Sequence, residues 1–265
     1  MKKMFKSSAL LFAMALTGTV VFSSCDKDDD PTPTPDPTIT DVVVSDPNFS
    51  ILEAAVKRAG LADALAQPGA LTVFAPDNAA FTAAGITEAV VATLTPEALA
   101  DILTYHVLTT KVPSPGVPAS DAVTTLQGKS IFASNNTNGV FVNGVNVKAA
   151  DVSASNGVIH VINGVLIPPT QTIAQIASAP GFSILLSAVV KAGLADAVAG
   201  PGKFTVFAPT NAAFEAAGLT QAAVDAASVE TVTGIVQQHV IATNVYASDL
   251  VNGATAPTIK TGATL

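Results

Sequence analysis

Residues 71–81, Leu-Thr-Val-Phe-Ala-Pro-Asp-Asn-Ala-Ala-Phe, return 133 residues later as 204–214, Phe-Thr-Val-Phe-Ala-Pro-Thr-Asn-Ala-Ala-Phe. The same offset carries Pro47 onto Pro180, Phe49-Ser50-Ile51-Leu52 onto Phe182-Ser183-Ile184-Leu185, residues 59–64 onto 192–197, and His106-Val107 onto His239-Val240. A period of this length is the size of a domain, so the chain folds as two tandem copies and not as a solenoid of short repeats.

The repeat is unequal. Near Gly128 and Gly262 the register slips by one residue, and residues 131–168 of copy one, 38 in all, find no counterpart before Leu265. That stretch holds Ile131, Phe132, Val140, Phe141, Val142, Val145, Val147, Val158, Ile159, Val161, Ile162, Val165, Leu166 and Ile167. If half of these are buried at about 1.5–3 kcal/mol each, their sum exceeds the roughly 5–15 kcal/mol that holds a typical domain together. The expectation is therefore that copy two is truncated, as a gene fragment or a shortened gene would make it, and does not fold stably alone.

The N-terminus reads as a sorting signal. Residues 1–6 hold three lysines and no acid, residues 9–22 form a short apolar run, and Ser23-Ser24 precede Cys25, the only cysteine. The run is shorter than the ~20 residues of a spanning helix. The segment resembles a bacterial lipoprotein signal with Phe22-Ser23-Ser24-Cys25 as its lipobox, although Phe22 stands where an aliphatic residue is usual. That resemblance implies a signal peptide over 1–24, a lipid on Cys25 and an outer-membrane lipoprotein, at the cell surface or on the periplasmic face. Asp26-Lys27-Asp28-Asp29-Asp30 looks like an acidic export signal for surface lipoproteins, and reads equally well as a solvated charge run. Residues 31–38 alternate Pro with Thr or Asp and favour polyproline II, so 25–38 form a tether. Its 13 residues from Asp26 reach roughly 40 Å at ~3.1 Å each.

Without residues 1–24 the chain has nine basic against 20 acidic side chains, a net charge of −11. That surface argues against nucleic acid as a partner. With 49% hydrophobic and 12% charged residues the remainder is globular. Copy one spans about 39–169 and copy two 171–265. In copy one, Ser50-Ile51-Leu52-Glu53 fits a capping box, ahead of a helix with Ile51, Leu52, Ala55, Val56 and Ala59 on one face and Gly60 at its stop. Residues 71–75 read as a buried strand broken by Pro76, and Asp77 as the cap of the next helical turn. Thr95-Pro96-Glu97 opens a helix through Leu99, Ile102, Leu103 and His106. Beyond it the pattern turns to strands: Asn143-Gly144 predicts a two-residue hairpin turn, and Asn156-Gly157 and Asn163-Gly164 bracket a strand over 158–162 in the same manner. Helices first and a meander afterwards predict α+β.

At these residues the chain resembles the fasciclin family, the FAS1 domain. Residues 72–81 look like its first signature motif, Tyr105-His106 like its tyrosine-histidine motif, and residues 156–163, Asn-Gly-Val-Ile-His-Val-Ile-Asn, like its second. Copy two has Gln238 in place of Tyr105 and lacks the second motif. The resemblance implies a β-wedge with packed helices, and a role in cell adhesion or in binding an extracellular protein or glycan. It also implies an adhesive surface formed by Tyr105 and His106, flanked by Leu103, Val107 and Leu108.

The residues themselves give little chemistry. His106 and His239 occupy equivalent places in two copies, and His160 lies in an apolar run where a satisfied structural role fits. His106 also reads as a scaffold histidine bonded to backbone. No Cys–His pair lies within the fold, and no HxH, HExxH or acid cluster supplies metal spacing, so no catalytic residue, metal or cofactor is expected. The Asn-rich residues 134–139 suit either a sugar contact or a turn. The reading is a lipid-anchored, non-enzymatic surface adhesion module. Its rivals are capture of a polysaccharide or small apolar ligand, and a spacer for a missing C-terminal domain.

Overall fold

The computed structural model describes residues 36–265 except 118, 119, 201, 251, 252 and 254. The sorting signal, Cys25 and most of the tether lie outside the described residues. Thr38 already belongs to the fold: it caps α1 (Ile39–Ser45), accepting from the Asp41 N–H while the Asp41 carboxylate accepts from the Thr38 N–H at 2.9 Å. There follow α2 (Ser50–Arg58), α3 (Ala62–Ala66), β1 (Leu71–Pro76), α4 (Asn78–Ala83), α5 (Glu88–Thr93) and α6 (Pro96–Tyr105). The strand-rich half is β2 (Val107–Leu108), β3 (Ser120–Thr124), β4 (Ser130–Asn136), β5 (Gly139–Val142), β6 (Val145–Ala154) and β7 (Gly157–Ile162).

These strands form one sheet in the order β2-β1-β7-β6-β5-β4-β3. Every pairing is antiparallel except β1 with β7, where the last strand of the meander returns beside the first strand in parallel, Leu71 opposite Gly157 and Pro76 opposite Ile162. The α+β class follows. Each face of the sheet carries a core. On the helical side Ile39, Leu52, Val56, Val73, Leu103 and Ile159 pack together, and on the other Phe74, Tyr105, Leu108, Ile131, Val142 and Ile162.

Several local expectations hold. Asp77 and Thr95 cap α4 and α6, Pro96 is the first residue of its helix, and Asn143 and Gly144, at φ 50° and 78°, close the β5–β6 hairpin. Two others need correction. The Ser50 capping box does not form, because the Ser50 hydroxyl is engaged with Glu88 and Asn78. The α2 N–H of Ile51 is capped from a distance by Asn78 Oδ1 at 3.1 Å, while Asn78 Nδ2 donates to the Pro47 carbonyl at 2.9 Å. Gly157 is not a turn residue either. Ala154 pairs with Gly157, so the turn is Ser155-Asn156, and Gly157 opens β7 at a point of close approach. A Cβ there would overlap the Leu71 carbonyl oxygen and come within 2.8 Å of Ile39 Cδ1.

Copy two repeats the helical half as α7 (Ile173–Ala177), α8 (Ser183–Lys191), α9 (Ala195–Ala199), β8 (Thr205–Val206), α10 (Asn211–Ala216), α11 (Gln221–Ala226), α12 (Val229–Gln238) and β9 (Val240–Ile241). Asn211 caps Ile184 at 3.0 Å as Asn78 caps Ile51. One core, built on Ile184, Leu185, Val189, Phe214, Val232 and Val236, repeats the helical-side cluster. Among the described residues the second-face cluster has no equivalent, and β8 pairs with β9 alone.

Gly157→Ala is expected to cost about 3 kcal/mol through the clash with β1. Gly128→Ala, at φ 96° with open space around it, is expected to cost only about 1 kcal/mol. Urea unfolding of the two variants checks this order, and a reversed order would mean that backbone conformation, not the β1–β7 approach, governs Gly157.

Candidate functional site

The end of α6 delivers Tyr105 and His106 between the two faces of the sheet. Leu99 and Leu103 bury one side of the helix, and His106 is its C-cap, with its N–H bonded to the Leu103 carbonyl at 3.0 Å. The imidazole is spent on backbone. Nδ1 lies 2.8 Å from the Ile102 carbonyl, which fixes the proton there, and Nε2 accepts from the Leu166 N–H at 2.9 Å. Burial holds its pKa down to about 4, against the partial support of the Ile102 bond. His239 makes the same bond to Ile235, at 2.9 Å.

Tyr105 is also interior, 2% exposed. Its hydroxyl donates to the Ser130 carbonyl at 3.1 Å and accepts from Asn143 Nδ2 at 2.9 Å, and burial raises its pKa. Leu103, Val107 and Leu108 are buried too, so the five residues expected to form an adhesive surface are brought together inside the molecule and present no exposed face. The scaffold reading of His106 is the one the geometry supports. His160 is likewise structural: it stacks on Phe74 with centroids 5.5 Å apart, reaches the Val112 carbonyl with Nε2 at 2.8 Å, and accepts the Asp151 N–H with Nδ1 at 3.3 Å.

What the sequence did not reveal is a set of asparagines that work across long separations. Asn143 Oδ1 accepts from the Phe132 N–H at 2.7 Å and from the Tyr246 hydroxyl of copy two at 3.2 Å. The Tyr246 ring rests on Phe132, and Asp249 Oδ1 accepts from Ser134 Oγ at 2.7 Å and Asn136 Nδ2 at 3.3 Å. Lys203 and Asp121 add an exposed ion pair at 2.9 Å. Copy two thus docks on β4 and on the β5–β6 turn, the turn that Tyr105 braces. Of the Asn-rich stretch, Asn135, Thr137 and Asn138 remain exposed.

Two cavities complete the site. Between α1, α2, α3 and β1 lies an apolar space of about 160 Å³ lined by Ile39, Val43, Leu52, Val56, Val73 and Leu103, with His106 at its edge. Copy two has a smaller one, about 40 Å³, at the equivalent residues Ile173, Ala177, Leu185, Val189, Val206 and Val236. Among the described residues no group of three or more His, Cys, Asp or Glu could hold a metal ion, and no helix is long and apolar enough to cross a membrane.

The Fasciclin domain model matches residues 47–168 and 180–265, and the chain belongs to that family, in two tandem copies. Over 134 residues it is 43% identical to Protein sll1483 of Synechocystis sp., covering 50% of this chain and 74% of that protein. It is 42% identical over 132 residues to the pig transforming growth factor-beta-induced protein ig-h3, and 30% identical over 226 residues, 84% of this chain, to human periostin. The chain spans only 19% and 26% of those two proteins. Among solved structures, the FAS1 domain pair of the insect cell adhesion molecule Fasciclin I aligns over 81% of each chain with 18% identity and a TM-score of 0.37.

A histidine at about 4 when folded and about 6.5 when unfolded favours the folded state fully above pH 6.5 and loses that contribution as the pH falls toward 4. Copy one is therefore expected to lose about 1.4 kcal/mol per pH unit across that window. His106→Gln should be less stable at pH 7 but show a flatter response between pH 7 and 5. Urea midpoints followed by the β7 amide signals test it, and an unchanged slope in the variant would assign the acid sensitivity elsewhere.

Proposed function

We propose that the chain is a non-enzymatic adhesion or binding module, held at a bacterial outer surface by a lipid on Cys25 and recognising an extracellular protein or glycan. The observation that carries this reading is how the fold uses its reactive side chains. His106, His160 and His239 each bond a backbone carbonyl, and Tyr105 braces a turn, so among the described residues no histidine is hydrogen-bonded to a serine, threonine or cysteine side chain. Membership of the Fasciclin domain family in tandem copies supports the same reading, as does the extent of the likeness to periostin across both copies. With the Tyr105 region interior, the contact falls on exposed polar surface, of which Asn135, Thr137 and Asn138 on the β4–β5 hairpin are the richest in amides. Weak single contacts gain from display of many copies on one cell. Bacteria carrying the full chain are expected to adhere to surfaces coated with matrix proteins or glycans, and Cys25→Ala to release the protein from the membrane fraction and abolish adhesion. Adhesion that survives release from the membrane, or no adhesion to any coating by cells that display the folded chain, overturns the proposal.

The cavity of copy one favours a second reading, capture of a small apolar ligand. A dry space near 150 Å³ accommodates a benzene-sized ring, and that of copy one is of this size, walled mostly by aliphatic side chains with Thr40, Glu53, Lys57 and His106 among its lining. Benzene is expected to shift the methyl signals of Val73 and Leu103 saturably in the wild type and not in Val43→Phe, which fills the space. Absence of a shift in the wild type removes this reading.

A further inference from the structure

Among the described residues the chain has four Asn-Gly pairs, at 138, 143, 156 and 163, and each continues with valine as Asn-Gly-Val. An asparagine followed by a residue with no Cβ is the arrangement in which the next backbone nitrogen reaches the side-chain Cγ with least obstruction. Ring closure forms the bond from the glycine nitrogen to Cγ and breaks the Cγ–Nδ2 bond, and Nδ2 leaves as ammonia with the glycine amide proton. Water then opens the cyclic imide at one carbonyl or the other, giving an aspartate or a β-linked isoaspartate. No oxidant, cofactor or second enzyme enters. Because the four pairs share the same three residues, the fold decides how they differ.

Two of them are held shut. Asn156 is 2% exposed, its Oδ1 accepts the Ile39 N–H at 2.9 Å, and its Nδ2 donates to the Leu65 and Gln67 carbonyls at 2.7 and 2.9 Å. Its carboxamide turns toward Gly157 only by giving up three bonds, and Gly157 is itself pressed against the Leu71 carbonyl. Asn143 is tied in the same manner, through Oδ1 to the Phe132 N–H and the Tyr246 hydroxyl and through Nδ2 to the Tyr105 hydroxyl.

The other two are exposed, to different effect. At Asn163 the chain is fastened on both sides of the bond that must rotate. The Asn163 N–H is bonded to the Asn146 carbonyl at 3.2 Å, Gly164 lies against Val145, and the N–H of buried Leu166 is bonded to His106. Asn138 sits at the tip of the β4–β5 hairpin, held by the bond from its N–H to Asn136 Oδ1 at 2.8 Å and by the last rung of the ladder, Asn136 opposite Gly139. The end of a hairpin opens locally at little cost, which frees the Gly139 nitrogen without disturbing either core.

We propose that Asn138 is a self-modification site, which in the folded chain converts to aspartate and isoaspartate ahead of Asn163 while Asn143 and Asn156 stay amides. The inference goes beyond the binding reading and does not need it. Conversion removes the Nδ2 donor from the turn and adds a negative charge to a chain already rich in acid, and the isoaspartate form lengthens the backbone at the hairpin tip by a methylene. The same change at Asn156 would set a carboxylate against the Leu65 and Gln67 carbonyls, so the fold withholds from reaction the position where conversion costs most.

The test holds the full chain in mildly alkaline buffer at body temperature, with a parallel sample in urea, and maps peptides by mass for the gain that replaces an amide by an acid. In buffer Asn138 is expected to convert fastest and Asn163 next, with Asn143 and Asn156 slower than Asn138 by about tenfold or more. In urea the four rates should converge. Asn138→Gln, which enlarges the ring that must close, should remove the signal at 138 and leave the rate at Asn163 unchanged. Conversion of Asn143 or Asn156 as fast as Asn138 in buffer overturns the proposal. So does a folded Asn138 that stays unreacted over the period in which the urea sample converts, or a spread of rates in urea as wide as in buffer, which would assign the order to sequence and not to the fold.

Discussion

The fold depends on one parallel pairing. The antiparallel contacts from β3 through β7 join strands that follow one another through short turns, and β1 meets β2 across the α4–α6 helices. The β1–β7 pairing joins Leu71 to Gly157 and turns a helical layer and a meander into one body with a core on each face. Long closure of this kind costs entropy before it returns contacts, and the chain meets that cost with a local lock. Asn156 satisfies an N–H of α1 and two carbonyls around α3 at once, and Gly157 lets the strand lie against Leu71 and Ile39. An asparagine that is 2% exposed with three backbone partners is far more than a turn former.

The same logic explains why residues of the family motifs lie inside. Tyr105 and His106 are the last contacts α6 makes before the chain enters β2, and each braces something distant: Tyr105 the Asn143 turn, His106 the Leu166 N–H beyond β7. A histidine that must stay neutral to accept that N–H suits a buried site at neutral pH, where the imidazole is uncharged and both nitrogens have partners. Recurrence of a histidine at the same place in two copies is then a statement about scaffold, and the surface that recognises a partner is free to vary around it.

The repeat, the helix starts at Asp77 and Thr95, the Asn143-Gly144 turn and the α+β class were legible because each rests on local chemistry: a cap, a proline, a pair of residues that tolerate positive φ. The roles of Asn78, Asn156 and Asn143 were not, because their partners lie 11 to 117 residues away and an asparagine in a loop looks the same whichever group it meets. The direction of Tyr105 was hidden for a related reason. At the end of an amphipathic helix a tyrosine can point outward or lie at a core edge, and the deciding partner, a left-handed asparagine in a hairpin, declares itself only when the hairpin is in place. The Asn-Gly rule itself misled at residue 157, where the glycine serves close approach and the turn falls one residue earlier.

Copy two shows how the two layers divide the work. Its helices close a core of their own, with Asn211 repeating the remote cap of Asn78, so the helical layer needs only β8 and β9 as a floor. Among the described residues the far side of that floor is covered unevenly, with Ile241 2% exposed but Phe207 39% exposed. Tyr246 and Asp249, in the segment that in copy one meets β6, turn instead to Phe132, Asn143 and Ser134 of copy one. Copy one's hairpin thereby carries two loads, its own sheet and its neighbour's loose segment, and both run through Asn143. That one side chain bonds Tyr105 of the copy-one core through Nδ2 and Tyr246 of copy two through Oδ1, so the brace of the turn and the contact between the copies share a residue.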